Sequence, residues 1–434
     1  MDFLNRFTSI RNFSRKIIEP LSAEDCVIQS MPDASPMRWH LAHTTWFFEM
    51  FLLKPTADYE VFDKDFEYLF NSYYNTVGEP FPRSKRGLIT RPGMAHTLEY
   101  RRHVDNAVAR LLSDGLSGQQ KAILEIGLNH EQQHQELMLT DIKHVLSCNP
   151  TYPVYISGKS KNSSDVAKST MQENLKRTDR SWIEVSGGLV FIGHQSTGFC
   201  FDNEQPPHRE FLEDFRLAKR TVSNGEYIEF IEDGGYATPS LWLAMGLGFV
   251  KDQNWKAPLY WEKRDGAWHH FTLSGLKKVA LDEPVCHVSL FEADAFARWS
   301  GYRLPTESEW EYAVQTNMVK TKSSVDSPEH HFADRLLENE LALHPQTSRV
   351  QTDNKTLFDA IGNLWEWTSS QYTAYPGYKS LDGALGEYNG KFMCNQFVLR
   401  GGSCATPSNH IRTTYRNFFP PETRWQFSGI RLAD

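Results

Sequence analysis

Large apolar residues recur at helical spacing through the first 150 residues. "MRWHLAHTTWFFEMFLL" (37–53) sets them on one broad face, with Pro36 just upstream as a start signal. "LEYRRHVDNAVARLLSDG" (98–115) keeps the helical period and stops at Gly115. "SGQQKAILEIGLNHEQQHQELMLTDIKHVLS" (117–147) is a long helical pattern that ends before Asn149-Pro150. With an amphipathic first helix in "MDFLNRFTSIRNFSRK" (1–16), this predicts about four helices, hence a bundle. Between them "NSYYNTVGEPFPRSKRGLITRPG" (71–93) reads as a long ordered loop, rich in aromatics and arginine, of the kind that serves function.

The texture then changes. Residues 156–181, "ISGKSKNSSDVAKSTMQENLKRTDRS", are polar and read as a linker between a bundle over 1–155 and a second domain over 182–434. From Trp182 onward strands are short and Gly, Pro and Trp frequent. One helix stands out in "SLFEADAFARWSG", followed by "RLPTESEWEYAV", where Thr306 and Glu309 have capping-box spacing. The second domain therefore reads as α+β with much irregular backbone.

The chain has 434 residues, room for two or three domains or one large one. Hydrophobic residues at 40% and charged residues at 23% are ordinary for a globular protein, while aromatics at 13% are high. The formal net charge of −8, without a basic block, argues against nucleic acid or an anionic membrane as partner. The six cysteines show no CxxC and no framework spacing, which fits free thiols in a reducing compartment. No apolar run approaches the roughly 18–20 residues of a membrane span. The N-terminus lacks the apolar core of a secretory signal, so the expected location is the cytoplasm.

The chemistry concentrates in "LNHEQQHQE" (128–136). His130 and His134, at i and i+4, share a helix face about 6 Å apart along the axis, so both imidazoles can reach one cation. The letters allow two readings. As H-E-x-x-H they describe a zinc metallopeptidase with Glu131 as general base. That reading needs a third ligand downstream, and His144 and Asp141 follow too closely. The other reading takes His130 and His134 as two ligands of a three-histidine site, with His43 of the earlier helix as the third. Such a site leaves open positions for oxygen and substrate, which suits iron(II) better than a closed structural zinc site. Glu136, two residues past His134, is placed to support a ligand from outside.

The second domain carries several ordered motifs: "GGLVFIGH" (187–194), "EQPPHREFLEDFRLAKRTVSNGEYIEFIEDGGY" (204–236), "EPVCHVSLFEADAFARWSGY" (283–302), "RLPTESEWEYA" (303–313), "GNLWEWTSS" (362–370), "LRGGS" (399–403) and "FSGIRLAD" (427–434). Over about 182–434 they resemble the formylglycine-generating-enzyme fold, a variant of C-type lectin architecture. "WHLAHTTWFFE" (39–49) and "HEQQHQE" (130–136) resemble a DinB-type four-helix bundle. A DinB-like bundle followed by a formylglycine-generating-enzyme/C-type-lectin-like domain is the architecture of the ergothioneine and ovothiol sulfoxide synthases. The resemblance implies a non-haem iron(II) enzyme that uses O2 to join a cysteine sulfur to C2 of a histidine-type imidazole and leaves a sulfoxide. It carries the iron ligands over to His43, His130 and His134.

Other roles follow from the same resemblance. Arg83 and Arg86 match the pair that holds the carboxylate of the thiol substrate, a task suited to the guanidinium fork. Tyr73 and Tyr74 match the proton-donor position of the cysteine-using branch. The other branch uses a tyrosine of the C-terminal domain, where Tyr375 and Tyr378 lie. Gln133 and Asn417 match positions lining the imidazole-substrate pocket, and Phe419 and Trp425 can wall it around a trimethylammonium group. Cys404 stands alone near the chain end, whereas copper-dependent formylglycine generators need a cysteine pair there. The branch using γ-glutamylcysteine carries an aspartate after "RN"; "YRNFFPPETRWQFSG" has Phe418 and Phe419 instead and resembles the branch that uses free cysteine.

The expected substrates are therefore cysteine, O2 and Nα-trimethylhistidine (hercynine). Ovothiol-type use of unmethylated histidine, or a selenium donor as in selenoneine synthases, stays open within the class. A zinc metallopeptidase and a non-catalytic lectin-like binder stand outside it.

Overall fold

The structure is a computed structural model describing residues 3–56, 58–158, 181–321, 331–347, 357 and 359–434. Contacts divide the chain into two compact units, Met1–Tyr155 with Ser380–Asn389, and Ile156–Lys379 with Gly390–Asp434. The segment 380–389, read from sequence as part of the second domain, belongs to the first unit. The reason is visible in its bonds: the Glu387 carboxylate accepts from the backbone N–H of Asn75 and Thr76 at 3.1 and 2.8 Å. Of the polar stretch read as a linker, residues 159–180 lie outside the described residues.

The first unit is built from α1 (Phe3–Ile18), α2 (Met37–Phe48), the single turn α3 (Phe66–Leu69), α4 (Met94–Asp114) and α5 (Gly118–Ser147). The four long helices fall where the apolar period places them. In α1 the buried residues Phe7, Ile10, Arg11, Ser14 and Ile17 form one stripe. α2 packs against α4 and α5, and α1 packs against the same two. Gly127 lets α5 approach α2, because a Cβ there would stand 2.5 Å from a Phe48 ring carbon. α5 starts at a capping box, Ser117 Oγ accepting from the Gln120 N–H while the Gln120 side chain accepts from the Ser117 N–H.

Two of the stripe positions in α1 are polar, and they meet a charge. Glu131 of α5 is fully buried. Its Oε2 accepts from Arg11 Nη1 at 2.8 Å, and its Oε1 accepts from Ser14 Oγ at 2.6 Å and from Arg101 of α4. Despite burial, the two guanidiniums pull its pKa down to about 2. One carboxylate thus joins three helices.

The loop 71–93 is held by side chains standing in for a ladder. Asn71 donates to the Tyr74 and Gly78 carbonyls and accepts from the Tyr74 N–H. Gln29 donates to the Arg83 carbonyl and accepts from the Gly87 N–H.

In the second unit β1 (Trp182–Val185) pairs with β4 (Phe215–Ala218), and β2 (Gly188–Ile192) with β3 (His208–Leu212), both antiparallel. β5 (Trp261–Arg264), β6 (Ala267–Thr272) and β7 (Gly275–Lys278) form an antiparallel meander. The fourth sheet runs in the order β10 (Asn417–Phe419), β9 (Phe397–Arg400), β8 (Trp365–Gln371), β11 (Ser428–Gly429), the last pair parallel. The helix Leu290–Trp299 is capped by Ser289, and Thr306 and Glu309 exchange the two hydrogen bonds their spacing predicts.

The quoted motifs of this unit meet in its interior as ion pairs. Arg431 of "GIRL" grips Glu366 of "WEW" with two hydrogen bonds of 2.6 and 2.7 Å, and Trp310 Nε1 donates to the same carboxylate at 2.6 Å. Glu307 accepts from Arg400 and Arg416 at 2.9 Å. Among the described residues no helix is long and apolar enough to cross a membrane.

Glu131→Gln tests the buried clamp of the first unit. Neutralising Glu131 takes the carboxylate partner from buried Arg101 and leaves Arg11 with Asp105 alone, a loss of about 3–5 kcal/mol. Equilibrium denaturant unfolding should show that loss; a variant within about 0.5 kcal/mol of the parent would contradict the clamp.

Candidate metal centre

Pinning Glu131 toward α1 and α4 turns the neighbouring face of α5 toward α2. That face carries His130 and His134, and α2 presents His43 to them. The three are buried, and one ring nitrogen of each lies within 4.8 Å of the others. His43 Nε2 and His130 Nε2 stand 3.2 Å apart. Two nitrogens that share one metal at about 2.1 Å are separated by about this distance.

The partners of the far nitrogens fix which nitrogen is free. His43 Nδ1 donates to the Phe70 carbonyl at 2.6 Å, leaving the Nε2 lone pair toward His130. His40 Nε2 donates to Asp141 Oδ2 at 3.0 Å, so its Nδ1 accepts from His134 Nδ1 at 2.8 Å. His134 therefore offers Nε2. Asp141 is itself held by the Ser35 N–H at 2.7 Å. His130 Nδ1 makes no hydrogen bond to a described residue. The result is a three-nitrogen donor set, oriented through the chain Asp141–His40–His134 in the way that metal-bound imidazoles are commonly held.

Burial keeps the set unprotonated. It pushes His43 well below 6.5, with His130 adding to the effect, and does the same to His134. His130 falls to about 3, burial outweighing the opposing pull of Glu131. Three neutral imidazoles with converging lone pairs can hold a divalent metal ion.

The surroundings are aromatic and cationic. Trp39 stacks on His43 with centroids 4.6 Å apart and planes 11° apart. The Arg86 guanidinium lies 3.4 Å from the Trp39 ring centre. Arg86 is buried and donates to two hydroxyls, Ser35 Oγ and Ser72 Oγ, both at 2.9 Å. Its Nε has no hydrogen-bond partner among the described residues. Arg83 is exposed and donates to the Asp33 carbonyl.

Tyr73 and Tyr74 stack at 4.6 Å, and Tyr74 packs against Trp46 and Phe51. Burial pushes both phenols upward, so both stay protonated at neutral pH. A third phenol, Tyr388 from the segment 380–389, donates to Gln133 Oε1. Its ring meets His130 edge-on at 5.7 Å and Tyr73 at 6.4 Å.

The structure thus brings together His43, His130, His134, Gln133, Tyr73, Tyr74 and Arg86 in the first unit. Asn417 and Phe419 belong to the second unit. There Asn417 begins β10, its Oδ1 accepting from the Phe418 N–H, and Phe419 packs edge-on against Trp425 at 6.2 Å. Tyr375 accepts from Arg400 at 3.0 Å and Tyr378 donates to Asp202 at 2.9 Å, both also in the second unit.

Two readings are corrected. The group that holds His134 from behind is His40, backed by Asp141, in place of Glu136. The metallopeptidase reading fails on Glu131, whose two oxygens are taken by Arg11, Ser14 and Arg101, so it cannot serve as a base. Sequence reasoning missed the role of His40 and Asp141 and overlooked Tyr388. The first two had a signal: Asp141 follows His134 by seven residues and shares its helix face. Tyr388 lies 255 residues from its partner, and no local pattern announces it.

Residues 167–434 match the sulfatase-modifying factor enzyme 1-like domain, and residues 6–138 match the DinB superfamily. A hercynine oxygenase of Mycolicibacterium smegmatis is 31% identical over 317 residues, covering 70% of this chain and 70% of its own. The chain belongs to the hercynine oxygenase family. A second hercynine oxygenase, from Mycobacterium tuberculosis, is 28% identical over 436 residues, covering 96% and 95% of the two chains. A formylglycine-generating enzyme of Bos taurus is 26% identical over 266 residues, 52% of this chain and 70% of its own. Membership in the hercynine oxygenase family places the chain among enzymes and excludes the reading of a lectin-like binder without activity.

His40→Ala removes the acceptor of His134 Nδ1 and leaves all three ligands in place. Metal affinity should fall about 10–100-fold, read by titration against a competing chelator. The metal-free protein should also lose stability as pH falls from about 6.5 toward 3. In that window the unfolded chain takes up protons that folded His130, at about 3, refuses. A flat thermal midpoint across it would show that the imidazoles are not held neutral.

Proposed function

We propose that this protein joins the sulfur of L-cysteine to C2 of the hercynine imidazole, using O2 and giving hercynylcysteine sulfoxide in ergothioneine biosynthesis. The observation that carries the reading is the three-nitrogen site of His43, His130 and His134 in a chain of the hercynine oxygenase family. The stoichiometry closes: the imidazole C–H and the cysteine S–H are replaced by a C–S bond, one oxygen atom becomes the sulfoxide, and the other leaves as water with the two hydrogens.

His43, His130 and His134 would hold iron(II), which supplies the binding and reduction of O2 that no side chain can provide. A neutral ligand set leaves the site cationic, which favours cysteine as its thiolate. Arg86 suits the cysteine carboxylate. It is a buried cation whose described hydrogen bonds go to hydroxyls, with Nε unpartnered, and it sits against Trp39 beside the ligands. Exposed Arg83 would act with it by charge. Gln133 would hold the imidazole substrate, its Oε1 already fixed by the Tyr388 hydroxyl. Tyr388 thereby joins Tyr73 and Tyr74 as a phenol able to deliver a proton near the ligands. Asn417, Phe419 and Trp425 enter this reading through their motif positions, as the polar and aromatic wall for the trimethylammonium end. None of the six cysteines is joined in a disulfide, in keeping with a reducing cytoplasmic setting.

Protein supplied with iron(II), hercynine and cysteine in air should consume O2 and form a product of the sulfoxide mass. Unmethylated histidine, γ-glutamylcysteine and a selenosugar, offered in parallel, decide among the neighbouring chemistries. No sulfur- or selenium-linked imidazole from any pair would sink the reading. In the same assay Arg86→Gln should raise KM for cysteine about 10–100-fold, the range for losing hydrogen bonds to a charged group.

A further inference from the structure

The second unit gathers another set of metal-ligating side chains. His270 stands on β6, Glu283 in the stretch leading to the helix Leu290–Trp299, and His344 in the turn beyond the helix Ala333–Glu338. One ligand atom from each lies within 4.8 Å of the other two. The imidazole centroids are 4.8 Å apart with the rings nearly perpendicular, at 87°. His270 and His344 are 5% and 6% exposed, while Glu283 opens partly to solvent.

An ordinary histidine–carboxylate pair does not account for this arrangement. Both ring nitrogens of His344 are buried and make no hydrogen bond to a described residue. Glu283 Oε2 stands 3.3 Å from His344 Nε2, close enough for a hydrogen bond yet not aligned as one. Two donors bound tetrahedrally to one cation at about 2.0–2.1 Å are about 3.3 Å apart, and their lone pairs point at the cation rather than at each other. Two imidazoles and one carboxylate are also a poor set for calcium or magnesium, which take oxygen donors.

We propose that His270, Glu283 and His344 bind a divalent transition cation of the zinc class, with the fourth position left to water. The site ties together β6, the loop before Leu290 and the loop 341–347. The last of these is already fastened by Gln346, which exchanges two hydrogen bonds of 2.8 and 2.9 Å with the Asn363 side chain, and by Thr347, which donates to Asp282 at 3.1 Å. A cation here closes long loops, the situation in which a cross-link restrains the unfolded chain most. Its role is structural and independent of the reaction proposed for the bundle histidines.

The test uses the full chain, freed of metal by chelation and titrated with zinc chloride. Metal content is counted after gel filtration, and affinities are read by calorimetry. On the proposed function the bundle histidines would also take zinc, so the parent protein should bind two equivalents. His344→Gln and Glu283→Gln should each bind one equivalent tightly, with the other weakened at least tenfold. His43→Ala should keep the second-unit equivalent, and zinc should raise its thermal midpoint. That rise should vanish in the His43→Ala, Glu283→Gln double variant. Glu283→Gln is isosteric at a partly exposed position, so it decides the matter if His344→Gln does not fold. Equal zinc content and affinity in the parent and Glu283→Gln would overturn the proposal, as would a His43→Ala protein that folds and binds no zinc.

Discussion

The three-histidine cluster depends on where Glu131 points. In a helix, adjacent residues are separated by about 100° of rotation, so a carboxylate fixed on one side determines what the next face presents. Arg11 and Arg101, from two other helices, fix that carboxylate. The histidines on either side of it in sequence, 130 and 134, are thereby turned toward α2. A residue that a motif search would take as a base acts instead as the pin that sets the rotation of α5. Burying it costs desolvation, and that cost is recovered only because both guanidiniums and the Ser14 hydroxyl arrive together.

The same economy explains how the ligands are held. Each imidazole has two nitrogens, and a metal can use one. For two of the three the structure occupies the other nitrogen: a carbonyl accepts behind His43, and a carboxylate is reached through His40 behind His134. The protons are thus placed before any metal arrives. Trp39, stacked on His43 and capped by Arg86, keeps the guanidinium charge close to the ligands without offering it a carboxylate.

The three-histidine cluster was legible in the sequence, because i, i+4 spacing and an apolar helix with an inward histidine are local patterns. The helices of the bundle were legible for the same reason. What escaped was set by packing between distant segments. Nothing near residue 388 indicates that its phenol meets Gln133, and the fastening of that segment by Glu387 is equally non-local. In the second unit the situation is reversed. The motifs that made the family readable, "TESEWE", "WEW", "LRGG" and "GIRL", turn out to be buried charges paired with one another. They identify a scaffold because unpaired charges cannot stay inside one, and for that reason they say little about the chemistry the scaffold serves.

The segment Ser380–Asn389 has an implication for how such a protein changes over generations. The first unit is not contiguous in the gene: its last ten residues are encoded after most of the second unit. Any single recombination crossover between the codons for residues 155 and 380 parts Gln133 from Tyr388 while leaving the three histidines together. The histidine cluster can be inherited as one block, but the phenol at its edge can be exchanged only with its partner's consent, so positions 133 and 388 are expected to drift as a pair.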